Sequence, residues 1–289
     1  MKPLFQSTDV QARFERDGFV KIPLLTPEEV AQLVHDYTTV AAAHVAIGIP
    51  FITTSHSNNR ELILKVDGFL QKILRPGMDR HLCNHSVLFG NFLVKMDGEN
   101  SESDPHQDIT FVDENNYNSV SAWVALEDTD ETNGCMYFLP GSHRFRFTIR
   151  PTHHYPWAYE YVKDEIKKNA TAFPAKAGEA FIFHHGVLHG SFANRSKKPR
   201  LAAVMAAHHA DAPLIHYYLP DGKGNMLHKY GMDKEAYLSF VKNMPPAKGI
   251  FQEEVEYDFH QLDKREFSAL LKQGKPKTNI LSKLFKKIR

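Results

Sequence analysis

Residues 121–144 read SAWVALEDTDETNGCMYFLPGSHR, and the fold turns on this stretch. Two short β segments, 119–126 and 136–139, are punctuated by the turn signals Thr132-Asn133-Gly134 and Pro140-Gly141-Ser142. The same grammar continues outward. Upstream, SVLFGNFLVKM at 86–96 reads as a strand, DGENSESDP as a loop, and 106–111 as a further strand. Downstream, 171–174, 180–184 and 201–208 are β segments separated by Ala177-Gly178-Glu179 and Asn194-Arg195-Ser196. Several short strands with regular turns predict a sandwich or barrel. Residues 155–169 (YPWAYEYVKDEIKKN) read as a helical insertion.

Helices flank this β region. Residues 7–18 form a short helix ending at Gly18, and 19–22 alternate like a strand. Thr26-Pro27-Glu28-Glu29 then opens a second helix: Thr26 is the N-cap, Pro27 the first helical residue, and Glu29 completes a capping box. Val30, Leu33, Val34 and Tyr37 give that helix one buried stripe. Another helix is expected at about 61–82, and the chain beyond 221 reads as helical and charged. The prediction is one domain over 1–289, mainly β with flanking helices. Its β core covers about 86–210, between a helical N-terminal part (1–85) and a helical C-terminal extension (211–289).

Composition narrows the function classes. Of 289 residues, 42% are hydrophobic, spread along the whole chain, which excludes general disorder. No apolar run approaches the roughly 18–20 residues a membrane-spanning helix needs. With 35 Lys+Arg against 34 Asp+Glu the net charge is +1, so no general field exists to attract nucleic acid. Two cysteines, Cys83 and Cys135, are too few for a disulfide scaffold, and the N-terminus lacks the apolar run of a secretory signal, which together predict a cytoplasmic protein. The 17 histidines stand out, because imidazole both titrates near neutrality and ligates metals.

His106-Gln107-Asp108 is the first chemical candidate. On a strand, residues i and i+2 share a face, so His106 and Asp108 project together while Gln107 points away. An imidazole and a carboxylate are two of the three ligands of a facial triad for non-haem Fe(II), which leaves coordination positions open. Residues 181–200 (FIFHHGVLHGSFANRSKKPR) offer His184, His185 and His189 for the third. Arg200 lies eleven positions after His189, across the turn at Asn194 and Ser196. A hairpin there brings a guanidinium beside the metal, where it can fork onto a carboxylate such as the distal one of 2-oxoglutarate. Ser191 shares the face of His189 on a regular strand.

HxD at 106–108, the 121–144 block and HGSFANRSKKPR at 189–200, in that order and spacing, resemble the phytanoyl-CoA dioxygenase family of Fe(II)/2-oxoglutarate oxygenases. The resemblance covers roughly residues 10–210. It implies a double-stranded β-helix (jelly-roll, cupin-like) core. It implies His106, Asp108 and His189 as iron ligands, Arg200 and Ser191 as holders of the distal 2-oxoglutarate carboxylate, and Trp123 as a wall of the co-substrate pocket. The cofactors would be Fe(II), 2-oxoglutarate and O2, with succinate and CO2 released as a C–H bond of a small or medium-sized metabolite is hydroxylated. Desaturation, epoxidation and ring formation use the same triad. A non-catalytic jelly roll that binds 2-oxoglutarate or iron is a further alternative. Because Asp108 is kept, hydroxylation is favoured over the halogenation of relatives that carry a small residue there.

The remaining candidates read as structural. His184 and His185 are expected to be satisfied core histidines, and Lys95 a solvated lysine at the end of its strand. Arg144, Arg146 and Arg150 lie on a loop that would rim the pocket or face solvent. The basic amphipathic segment 281–289 (LSKLFKKIR) is expected to dock on the body or fray. The partner is a small-molecule substrate rather than nucleic acid, and the protein a monomer or homodimer. Its loops (45–60, 112–118, 144–160, 210–232) mix aromatic and polar residues, as suits an amphipathic metabolite or an acyl thioester.

Overall fold

A computed structural model describes residues 3–44, 49–145, 148–152, 154–241 and 244–274. The N-terminal part carries α1 (Thr8–Asp17), β1 (Phe19–Pro23), α2 (Pro27–Asp36), β2 (Phe51–Thr53) and α3 (Arg60–Asp79). The β region follows with β3 (His85–Lys95), β4 (Ser103–His106), β5 (Ser119–Ala125), β6 (Met136–Phe138), α4 (Lys163–Asn169), β7 (Thr171–Phe173), β8 (Glu179–His184), β9 (His189–Ser191) and β10 (Arg200–His209). Then come β11 (Leu214–Tyr218), β12 (Met226–Met232), α5 (Lys234–Leu238), β13 (Ile250–Glu256) and α6 (Lys264–Gly274).

Two antiparallel sheets make the jelly roll: a six-stranded one ordered β1-β8-β5-β10-β3-β2 and a four-stranded one ordered β4-β9-β6-β7. Alternation along the strands of the large sheet explains the layering. Val120, Ala122 and Val124 of β5, Ala180 and Ile182 of β8, and Ala203, Met205 and Ala207 of β10 face one way. There they meet Phe14 of α1, Leu33 of α2, and Leu62, Val66, Leu70 and Leu74 of α3. The intervening residues Trp123, Ala125, Phe181, Phe183 and Ala202 face the other way and pack against Met136 and Phe138 of the small sheet. All seven residues of β5 are therefore buried, with helices behind and the second sheet in front.

The expected helix starts are present. Thr26 and Glu29 form both bonds of the capping box, at 3.3 and 2.8 Å. Gly18 closes α1 with φ +83°. The helical N-terminal part also supplies both edge strands of the large sheet, β1 and β2.

The C-terminal extension departs from the helical expectation. Strands β11, β12 and β13 form a three-stranded antiparallel sheet, and among the described residues only the short α5 and α6 are helical. Its charges are cross-strand pairs: Glu253 of β13 receives Lys229 of β12 at 2.7 Å, and Glu254 meets His228 at 3.2 Å. β13 is exposed along nearly its whole length, so it shows no buried apolar period and its acids read like a solvated helix face. The 281–289 segment lies outside the described residues. No helix among the described residues is long and apolar enough to cross a membrane.

Candidate active site

Between the two sheets lies a cavity of about 490 Å³, lined by His106, Asp108, His189, Trp123, Ser191 and Arg200 among others. β4 and β9 pair antiparallel with His106 opposite His189, which sets the two imidazoles side by side with ring centroids 4.3 Å apart. Asp108 arrives differently from the expectation. β4 ends at His106, and 107–111 run outside any strand. Asp108 is placed instead by its amide donating to the His185 carbonyl (3.0 Å) and its carbonyl accepting from Arg150 Nε (2.5 Å). Gln107 does point away, donating to the Gly186 carbonyl at 2.7 Å.

The ligand atoms of His106, Asp108 and His189 all lie within 4.8 Å of one another, the spacing of donors around one ion. Asp108 Oδ1 is 4.0 Å from His106 Nε2 and 3.9 Å from His189 Nε2. Both imidazoles have Nδ1 against a backbone carbonyl, Asp104 for His106 (2.8 Å) and Val187 for His189 (3.0 Å). Nδ1 must therefore carry the proton, and both Nε2 lone pairs converge on the site. Burial, with His106 adding to it, pulls His189 down to about 4, so its imidazole is neutral at pH 7. The donor set fits a divalent transition metal.

A one-way chain of hydrogen bonds backs the carboxylate. Ser121 spends its only proton on Asp108 Oδ2 at 2.9 Å. His185 Nε2, 3.1 Å from the same hydroxyl, must then donate to it, so His185 Nδ1 accepts from Ser119 at 2.7 Å. His184 Nδ1 accepts the Gly186 amide at 2.9 Å, so both histidines are satisfied core residues as expected. Arg150 is buried behind Asp108 rather than on the rim, paired with the equally buried Glu114 at 2.5 Å. Arg144 donates to the Glu15 carbonyl at 3.0 Å, and Arg146 lies outside the described residues.

Arg200 is the first residue of β10, 1% exposed, and lines the cavity. Trp123 holds its guanidinium from one side, with Cζ 5.3 Å from the ring centroid. Among the described residues only Nη2 has a partner, the Gly134 carbonyl at 3.2 Å, whereas Nε and Nη1 are buried with none. Burial draws its pKa down to about 10, so it is still a cation at pH 7. A buried, half-bonded guanidinium fork is costly unless a carboxylate completes it, and the fork geometry matches one.

Lys95 corrects the expectation of a solvated lysine. It is fully buried behind Ser191, and burial together with Arg200 pulls it down to about 7. Its ammonium donates to Ser191 Oγ (2.8 Å) and to the Ser191 and Phe192 carbonyls (3.2 and 2.6 Å). The Ser191 hydroxyl thus accepts from Lys95 and keeps its own proton to donate. Asn91 was not singled out by the sequence reading. Its Oδ1 accepts from Thr53 at 2.6 Å, which leaves its amide protons facing the cavity. One Asn on a strand carries no sequence signal of this kind.

Two glycines are required here. Gly190 separates His189 from Ser191, and a Cβ on it would run into the Tyr137 hydroxyl and the Ser103 carbonyl. Gly134, at φ +83°, would place a Cβ 2.5 Å from the Phe192 carbonyl and 2.8 Å from Lys95 Cδ.

The fold has solved counterparts. The epimerase SnoN in complex with Fe3+, alpha ketoglutarate and nogalamycin RO superposes with a TM-score of 0.52 at 21% identity, over 84% of this chain and 93% of that one. EctD from S. alaskensis, solved with 2-oxoglutarate and 5-hydroxyectoine, gives 0.52 at 19% identity, over 75% of this chain and 81% of its own. At these identities the likeness establishes the jelly-roll architecture. The family is established by sequence: residues 14–202 match the phytanoyl-CoA dioxygenase (PhyH) model, and the chain belongs to that family. Among curated relatives, phytanoyl-CoA dioxygenase domain-containing protein 1 of Danio rerio is 36% identical over 127 residues, 41% of this chain and 43% of the relative. Peroxisomal phytanoyl-CoA dioxygenase of Bos taurus is 35% identical over 126 residues, 40% of this chain and 36% of the relative. The matched part thus spans less than half the length of either relative.

Proposed function

We propose that the protein is an Fe(II)- and 2-oxoglutarate-dependent dioxygenase that hydroxylates a C–H bond of a small or medium-sized metabolite, releasing succinate and CO2. The observation that carries this reading is the pairing, in one cavity, of a two-histidine, one-carboxylate cluster with the half-bonded, buried Arg200 fork. His106, Asp108 and His189 would hold Fe(II), which, with 2-oxoglutarate bound, supplies the activation of O2.

The chain's own residues do the positioning. The Asp104 and Val187 carbonyls fix the tautomer and rotation of the two imidazoles, so neither has to reorganise to bind metal. Ser121 and, through it, His185 orient the Asp108 carboxylate. Arg200 would take the distal carboxylate of 2-oxoglutarate bidentately, with Trp123 bracing its plane and Ser191 adding a hydroxyl donor. Asn91 faces Val204 across the β3–β10 ladder, further along the cavity from Arg200, where its amide would donate to the keto-acid end. Phe138 and Phe183 pack on His189 (5.9 and 4.5 Å between centroids) and keep water from that side of the site.

Titration of the Fe(II)–2-oxoglutarate charge-transfer band under nitrogen tests the reading, followed by O2-dependent succinate release. A 1:1 band that is lost in His189→Ala is the expected result. A band of unchanged intensity in that variant would remove His189 from the ligand set, and no band in the wild type would remove the reading itself.

A further inference from the structure

The half of the cavity away from Arg200 specifies a substrate, and the inference below rests on the reading that Arg200 serves 2-oxoglutarate. Among the described residues that line the cavity, Arg200 is the one lysine or arginine and Asp108 the one acid. With both committed, no lysine, arginine or acid among the described lining residues is left to pair with a charged substrate. Beside the polar Thr53, Ser55, His56 and Asn91 there is an apolar wall of Phe89, Ile109 and Phe111, to which the C-terminal extension adds Tyr237, Leu238 and Phe240. Tyr237 of α5 packs on Phe111 (5.1 Å) and Phe89 (6.0 Å), and its hydroxyl turns away to the Ile215 carbonyl at 2.6 Å, so only its ring faces the cavity. Phe240 continues the wall. The wall is anchored: Lys234, the first residue of α5, pairs at 3.0 Å with the buried Asp67 of α3, which also accepts the Gly90 amide at 2.9 Å.

Thr152 sets a polar device beside this wall. Thr152 lies two residues beyond Arg150, whose side chain holds the Asp108 carbonyl, and it lines the same cavity. Its hydroxyl is 2.7 Å from Nε2 of the buried His216, whose ring packs on Phe240 (4.9 Å) and Tyr237 (6.0 Å). His216 Nδ1 has no partner among the described residues. If Thr152 donated to Nε2, the ring's remaining proton would sit on Nδ1 as a buried, orphaned N–H. The other tautomer leaves only a lone pair unmet, which structures tolerate better. His216 is neutral, since burial pulls its pKa down to about 4. Nε2–H therefore donates to Thr152 Oγ1, and the Thr152 proton is left to point into the cavity.

We propose that Thr152, turned by His216, orients the substrate of this enzyme, and that the substrate is an uncharged molecule presenting an acceptor oxygen to Thr152 and an apolar body to Phe89, Phe111, Tyr237 and Phe240. A coenzyme A thioester, with its several phosphate charges, finds no counter-charge among the described lining residues. Thr152 is a positioning residue and takes no proton.

Calorimetric titration of the anaerobic Fe(II)–2-oxoglutarate protein with three size-matched probes tests this. They are δ-decalactone, its ring-opened carboxylate 5-hydroxydecanoate, and butylcyclohexane, with decanoyl-CoA as a fourth, charged probe. The lactone should bind about tenfold or more tightly than the others, one buried hydrogen bond being worth on the order of a factor of ten. Thr152→Val should weaken the lactone by about that factor and leave butylcyclohexane unchanged, and Thr152→Ser should restore it. Equal binding of lactone and hydrocarbon, tighter binding of either anion, no lactone binding at all, or an unaltered lactone constant in Thr152→Val each overturns the proposal. The charge-transfer band, recorded on the same samples, reports separately on the iron and 2-oxoglutarate reading. Its absence would overturn that reading, while the ranking of probes would still decide this one.

Discussion

At the scale of single residues, Arg200 is the one side chain among the described residues with two buried, unpartnered nitrogens. A buried cation with two orphaned nitrogens is costly when unpaired, and a carboxylate that completed its fork would be held strongly. Two consequences of opposite sign follow. Arg200→Ala should raise the 2-oxoglutarate constant on the order of a hundredfold or more, since losing a buried charged pair costs about 3–5 kcal/mol and each 1.4 kcal/mol is tenfold. The same variant, free of 2-oxoglutarate, should melt no lower than wild type, because an unpaired buried charge has been removed. Arg200→Lys should recover only part of the affinity, lacking the fork. Charge-transfer titration and thermal denaturation with and without 2-oxoglutarate measure both. An unchanged midpoint in Arg200→Ala would transfer the role to Lys95, the other buried cation at that end.

At the scale of elements, β9 is three residues long and is pinched between β4 and β6. That sandwiching delivers His189 to His106 and Ser191 to Lys95 at once, and it works because Gly190 has no side chain. Gly190→Ala drives a methyl into the buried Tyr137 ring and the Ser103 carbonyl, neither of which is a flexible side-chain end, so about 1–3 kcal/mol of stability should be lost. Iron affinity should fall with it, since the His106–His189 spacing is set by that pairing. Urea denaturation and competition for Fe(II) against a chelator check the two effects. Retained iron affinity in a destabilised Gly190→Ala would show that the ligand spacing does not depend on β9.

At the scale of the whole molecule, folding buries many neutral histidines. His143 is drawn down to about 3 and His185 and His216 to about 4, in each case chiefly by burial. Their unfolded values are near 6.5, so between that pH and about 4 the unfolded chain binds more protons than the folded one. Stability from these groups is therefore complete above about pH 6.5 and is lost as pH falls toward 4. The urea midpoint should drop through that window, and less steeply in His216→Phe. A midpoint that stays level from pH 6.5 to 4.5 would show that these rings are not buried neutral.

Some of this was legible in residues 121–144 and the motifs on either side. Strand alternation, the capping box at Thr26 and the turn glycines act over a few positions, so the β core and the helical start could be read locally, whereas Asp108 lies beyond β4 and is brought beside His106 by His185 and Arg150. Three histidines stood in residues 181–200, and local pattern did not choose among them. The pairing of β9 with β4 sets His189 opposite His106 and leaves His184 and His185 in the core. Burial decided the rest. Lys95, Arg150 and His216 are polar residues that a sequence reading assigns to solvent or leaves unremarked, because the desolvation that gives them their roles comes from strands and helices far along the chain. The C-terminal sheet was missed for the same reason: an exposed strand such as β13 has no period of its own, and only its partner across the ladder makes it one. The sequence by itself determined the residue types and the local turns and caps. Which of them meet, and in how little water, was decided by tertiary structure, since hydrogen-bond register and burial are long-range properties.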